Sequence, residues 1–77
     1  MPDNPPPPWV LTRQRAIGVQ IREARRQADL TQIQLGDRIG RDHKTISRWE
    51  NAVSTPDLRD LVLLAHALDV TLADLVR

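Results

Sequence analysis

Apolar residues recur along this chain in steps of three and four, in short blocks punctuated by Gly, Pro and Asp, and no stretch alternates strictly between apolar and polar. That spacing lines one face of an α-helix, and it predicts five helices and no strand. Ile17, Ile21, Ala24 and Ala28 define the first, expected to begin after Thr12 and to end near residue 27 or 28. Asp29 follows, a residue that tolerates the left-handed conformation of a helix end. Thr31 and Gln34 have the spacing of a capping box, with Leu30 and Leu35 as its hydrophobic staple, so a second helix is expected over about 31–39. Gly36 costs about 0.8–1.0 kcal/mol against Ala inside a helix, which predicts a close crossing of another helix there. Gly40 makes the turn. Asp42 is the predicted cap of a third helix over about 42–51, with Ile46 and Trp49 facing inward. Thr55 is read as the next cap, with Pro56 at the first helical position and a stripe of Leu58, Leu61, Val62, Ala65 and Leu68. Thr71 with Asp74, and Val70 with Leu75, open a short fifth helix.

Seventy-seven residues suit one domain with an economical core, taken here as residues 13–77. Cysteine is absent, and His43 and His66 have no ligand-type spacing, so neither a disulfide nor a metal site is expected. No nucleophile has a base at a recognisable spacing and no Gly-rich loop could cradle a phosphate, so neither enzyme activity nor a cofactor is expected. No apolar run approaches the roughly 18 residues of a membrane span, and the N-terminus lacks the features of a signal peptide. The cytoplasm is the expected compartment.

Residues 1–8 hold five of the six prolines, the composition of a flexible or polyproline-type segment. A flexible tail is therefore expected over residues 1–12, either as a plain leader or as a ligand for a protein partner. Trp9, Val10 and Leu11 add a small apolar patch, read as packing back on the domain or as a subunit contact. The net charge of +1 hides a division. Residues 13–54 carry nine Lys/Arg against five acids, whereas residues 55–77 carry two against four. The basic half is the one that would face a polyanion.

That half contains residues 30–50, two short helices about a tight turn, the second bearing His43, Lys44, Thr45, Ser47 and Arg48. A short basic helix braced across another is the geometry that enters a DNA major groove. With Ile17, Gly18 and Arg25, the run from Leu30 through Gln32, Leu35, Ile39, Gly40, the run 45–50, Pro56, and Leu64 to Leu68, the sequence resembles the phage repressor and Cro-like family of xenobiotic-response-element-type regulators. The resemblance covers about residues 15–77. It implies a five-helix, lambda-repressor-like fold that binds palindromic operator DNA as a dimer through the third helix. It places His43, Lys44 and Arg48 toward base edges, where Lys and Arg favour guanine acceptors. Gln32, Thr45 and Ser47 fall at phosphate-contact positions, and Arg25 and Glu50 at positions that pair. Three family glycines are replaced by Asp29, Ala52 and Asp69, and Ala52 is expected to alter the exit from the recognition helix. Residues 53–55 lack the Lys or Arg usual there. Arg41 stands where an apolar residue is common and is expected to reach the DNA backbone instead.

Two other readings share this scaffold: a protein-interaction module working through the tail or the last two helices, and an antitoxin or restriction-control component. Leu58, Leu72, Leu75 and Val76 are read equally as contact residues for a partner or second copy and as part of the domain's own core.

Overall fold

The computed structural model describes residues 5–77, so the part of the predicted tail in residues 1–4 lies outside the described residues. Five helices follow in order: α1 (Pro8–Gln27), α2 (Gln32–Ile39), α3 (His43–Glu50), α4 (Leu58–Leu68) and α5 (Leu72–Val76). No strand occurs among the described residues.

The starts of α2 to α5 follow from side chains that accept otherwise unpaired first-turn N–H groups. Thr31 and Gln34 form the reciprocal capping box expected of them, as do Thr71 and Asp74. Asp42 caps α3 by accepting from the Lys44 N–H at 2.7 Å. The cap of α4 is Asp57, not Thr55. Asp57 accepts from the Asp60 N–H at 2.8 Å, and Asp60 accepts in return from the Asp57 N–H at 3.1 Å. Thr55 has Leu58 three residues on, which cannot return a hydrogen bond, whereas Asp57 has Asp60 in that position.

Helix α1 begins at Pro8, well before the expected start after Thr12. Proline needs no N–H partner in a first turn and its φ is already helical. Thr12 is therefore inside the helix, its hydroxyl donating back to the Pro8 carbonyl at 3.3 Å. Trp9 and Leu11 stay exposed on this first stretch, at 69% and 40%.

Each helix contributes one fully inaccessible apolar side chain to a single core: Ile21, Leu35, Ile46, Leu64 and Leu75. Leu30, Ile39, Trp49, Ala65 and Leu68 fill the space among them. The inward face of α4 differs from the predicted stripe. Asp60, Leu64, Ala65 and Leu68 are buried, while Leu58 and Val62 are 67% and 52% exposed. The capping box and Arg41 make Asp60 an inward residue, which turns Leu58 and Val62 to the outside. Ala28 is also exposed, as the residue on which α1 ends.

Two glycines set the distances between helices. A Cβ on Gly36 would overlap the Arg41 carbonyl oxygen, so the close approach predicted there is made by the backbone of the turn and not by another helix. A Cβ on Gly18 would lie 2.6 and 2.7 Å from the carbonyl oxygens of Glu50 and Trp49. Gly18 is thus where α1 crosses the end of α3, a contact the helical periodicity does not reveal. The C-terminus lies against α1, with the Gln20 amide donating to the Arg77 carbonyl at 2.7 Å and Arg13 to that of Val76.

Candidate nucleic-acid interface

Helix α3 has two chemically distinct sides. Ile46, Trp49 and Glu50 are buried, whereas His43, Lys44 and Arg48 are exposed and Thr45 and Ser47 half-buried between them. Lys44, Ser47, Arg48 and Asn51 follow at spacings of three or four, so they form one outward stripe. Neither Lys44 nor Arg48 is in an ion pair among the described residues. His43 sits 3.8 Å from the Asp42 carboxylate at the start of the helix. The Lys44 N–H hydrogen bond holds Asp42 below the usual carboxylate range, aided by the charges of His43, Lys44 and Arg48.

The inner side is fixed by an ionic cluster around Glu50, whose side chain has no exposed area. Arg25 Nε and Nη2 donate to its two oxygens at 2.6 and 3.0 Å, and Nη1 donates to the Leu30 carbonyl at 2.9 Å. One guanidinium therefore ties α1, the segment before α2, and α3 together. This is the expected pairing of Arg25 with Glu50. Burial pushes the Glu50 carboxyl up, but hydrogen bonds from Arg25 and Gln32 and the charges of Arg25 and Arg22 outweigh it, leaving the group below its ordinary range. The same contact raises the Arg25 pKa.

Two expected phosphate contacts are engaged inside the protein. The Gln32 amide donates to Glu50 Oε1 at 3.1 Å, because the first turn of α2 sits directly beside the buried carboxylate. Arg41 donates through Nε and Nη2 to Asp60 Oδ1 at 3.1 and 2.6 Å, so it links the turn to α4 and does not reach outward. An inward carboxylate at Asp60, only 7% exposed in its side chain, is the physical reason.

The structure also brings in two residues that the sequence reading left aside as contacts. Arg22 Nη2 donates to Asn51 Oδ1 at 2.7 Å, and Asn51 Nδ2 donates to the Ser47 carbonyl at 2.9 Å. Their spacing carried the signal. Arg22 lies three residues before Arg25 on the same flank of α1, and Asn51 lies three after Arg48.

The exit from α3 passes through Ala52 at φ 56°, and Asp29 and Asp69 hold similar values at the ends of α1 and α4. The left-handed turn is kept at all three positions without glycine. Beside this exit, Ile17, Trp49, Ala52, Pro56 and Leu61 line an open apolar groove of about 200 Å³ that has no titratable side chain on its walls. No group of three or more His, Cys, Asp or Glu able to hold a metal occurs among the described residues. No described helix is long and apolar enough to cross a membrane.

No curated protein matches this sequence closely enough to serve as a relative. The family model for helix-turn-helix domains (HTH_3) matches residues 21–75, from the middle of α1 to the buried Leu75 of α5. The chain accordingly belongs to the Cro/C1-type helix-turn-helix family, a DNA-binding transcription-regulator type.

Proposed function

We propose that this protein is a sequence-specific transcriptional regulator that lays α3 in the major groove of operator DNA, with two copies on a palindromic site. The observation that carries the proposal is the outward stripe of α3, whose free cations Lys44 and Arg48 stand on a helix immobilised from behind by Trp49 and the Glu50 cluster. A helix about 10–12 Å across with its side chains fits a groove about 12 Å wide, and the eight residues of α3 give about two turns to lay in it. Lys44 and Arg48 would face guanine acceptors, with His43 at the third base-reading position. Thr45 and Ser47, half-buried at the edges of the stripe, suit phosphate contact. Gln32 would meet a phosphate through its backbone N–H at the start of α2, its amide remaining on Glu50. Arg41 is left out of the contact set, since Asp60 holds it.

A domain of this size covers about 600–1,000 Å² of DNA-facing surface, and pairing on half-sites roughly 34 Å apart supplies the rest of the affinity. Exposed Val53, Leu58 and Val62 favour, as a second reading, a surface for another polypeptide.

Selection of a random duplex library at about 150 mM salt tests the first reading, at an ionic strength where non-specific phosphate binding is weakened. An enriched palindrome with half-sites one turn apart is expected. Folded protein that enriches nothing would reverse it and favour the partner-binding module. On the selected site, Arg48→Ala should cost about 1–3 kcal/mol and relax the base preference at one position. Equal losses on specific and random DNA would remove Arg48 from the base-reading set.

A further inference from the structure

Lys and Arg supply the charge that neutralises DNA phosphates, yet residues 51–57, which follow α3, contain neither. A cation from α1 reaches that exit. Arg22 crosses from α1 to Asn51, its Nη2 2.7 Å from Asn51 Oδ1, while its Nε lies 3.5 Å from Glu50 Oε1. Asn51 is exposed and continues the outward stripe of Lys44, Ser47 and Arg48. The Arg22 side chain is 29% exposed, so it is held against the domain while still reached by solvent.

The charge count of this cluster matters more than any one distance. Glu50 carries one negative charge and is engaged at both oxygens by Arg25, at 2.6 and 3.0 Å. Gln32, the other close partner, is neutral. Arg22 adds a second positive charge through a longer contact, and among the described residues no other carboxylate lies within ion-pair distance of it. The cluster is therefore positive by one, at the edge of the surface that carries Lys44 and Arg48. A part-exposed cation held by one hydrogen bond to Asn51 and a longer ionic contact with Glu50 is preorganised for an external oxyanion.

We propose that Arg22, oriented by Asn51, is the phosphate anchor at the exit of the recognition helix and supplies from α1 the charge that the loop after α3 lacks. This assignment rests on the DNA-binding reading and adds a ligand, a backbone phosphate diester, to a site outside the helix-turn-helix itself. Sequence readout is not involved. Arg22 adds affinity equally on every duplex.

The test is fluorescence anisotropy of the whole protein with random-sequence duplex at several salt concentrations between about 50 and 200 mM, where each neutralised phosphate contributes roughly 0.9 to the slope of log K against log salt. Arg22→Gln should lower that slope by about 0.9, whereas Arg22→Lys should keep it and lose only affinity. An unchanged slope in a folded Arg22→Gln protein overturns the assignment. Should Arg22→Gln fail to fold, the parent protein still decides. In ¹⁵N spectra titrated with the same duplex, the Arg22 Nε–H and the Asn51 side-chain amide should shift, and stationary signals at both overturn the proposal. A parent protein with no salt-dependent DNA binding would instead sink the DNA reading itself, and this assignment with it.

Discussion

Two arginine–carboxylate contacts flank the helix-turn-helix, and they differ in burial, in charge balance and in what they do for the DNA face. Arg25 and Glu50 lie behind α3, with side chains 11% and 0% exposed, and join α1 to the recognition helix. Arg41 and Asp60 lie at the turn, 43% and 7% exposed, and join it to α4. Around Glu50 two arginines share one acid, so a positive charge is left over. At Asp60 one arginine meets one acid and nothing remains. An arginine count along the sequence treats Arg22 and Arg41 alike, but the folded chain gives only Arg22 a surplus charge to offer a polyanion.

The largest expected effect comes from breaking the buried contact. Arg25→Met leaves Glu50 in the core without its two strongest donors, and removal of one partner from a buried pair costs about 3–5 kcal/mol. A domain of this size has only about 4–12 kcal/mol of stability in total. Urea denaturation at pH 7 should therefore show a midpoint lowered by at least about a quarter. A midpoint close to the parent's would mean that Arg22 and Gln32 can satisfy Glu50 without Arg25.

Acid should sharpen the same contrast. Glu50 has a folded pKa below its ordinary value, so its contribution is complete above the unfolded carboxylate range, about pH 4.3, and is lost as pH falls through the lowered folded value. Thermal melts should be flat from pH 7 to about 5 and decline below that. Glu50→Gln should start lower at pH 7 and decline less steeply. The decline should persist in part, because Asp42, Asp57 and Asp74 are also held below the usual range by cap hydrogen bonds. Identical acid limbs for the parent and Glu50→Gln would take Glu50 out of the acid response.

Much of this architecture was legible because its signals are local. Thr31 with Gln34, Asp42, and Thr71 with Asp74 announce their helices within one turn of chain, and the apolar pattern puts Ile21, Leu35 and Ile46 in the core. The errors arose where a distant residue decides. Asp60 reads as a surface carboxylate until Arg41, nineteen positions earlier, comes to lie against it. With Asp60 turned inward, the buried face of α4 shifts to Leu64 and the cap moves from Thr55 to Asp57. Gly18 could not be interpreted without the α3 carbonyls it touches. Of the proposed interface, the stripe on α3 was readable from one helix alone. The bracket of Arg22 and Asn51 spans 29 positions and required the fold.

Arg41 completes the comparison with the smallest effect. If its charge is compensated by Asp60, Arg41→Ala should leave the salt dependence of DNA binding unchanged, the opposite of what is expected for Arg22→Gln. Its effect on folding should be about 1 kcal/mol or less, as for an arginine more than a third exposed. Asp60 retains the Asp57 N–H at 3.1 Å, so its carboxylate is not left bare when the guanidinium is removed. A lower salt slope in Arg41→Ala would mean that DNA draws Arg41 away from Asp60. The turn would then contribute charge to the interface, and the distinction between a balanced and a surplus arginine would hold only for the protein without DNA.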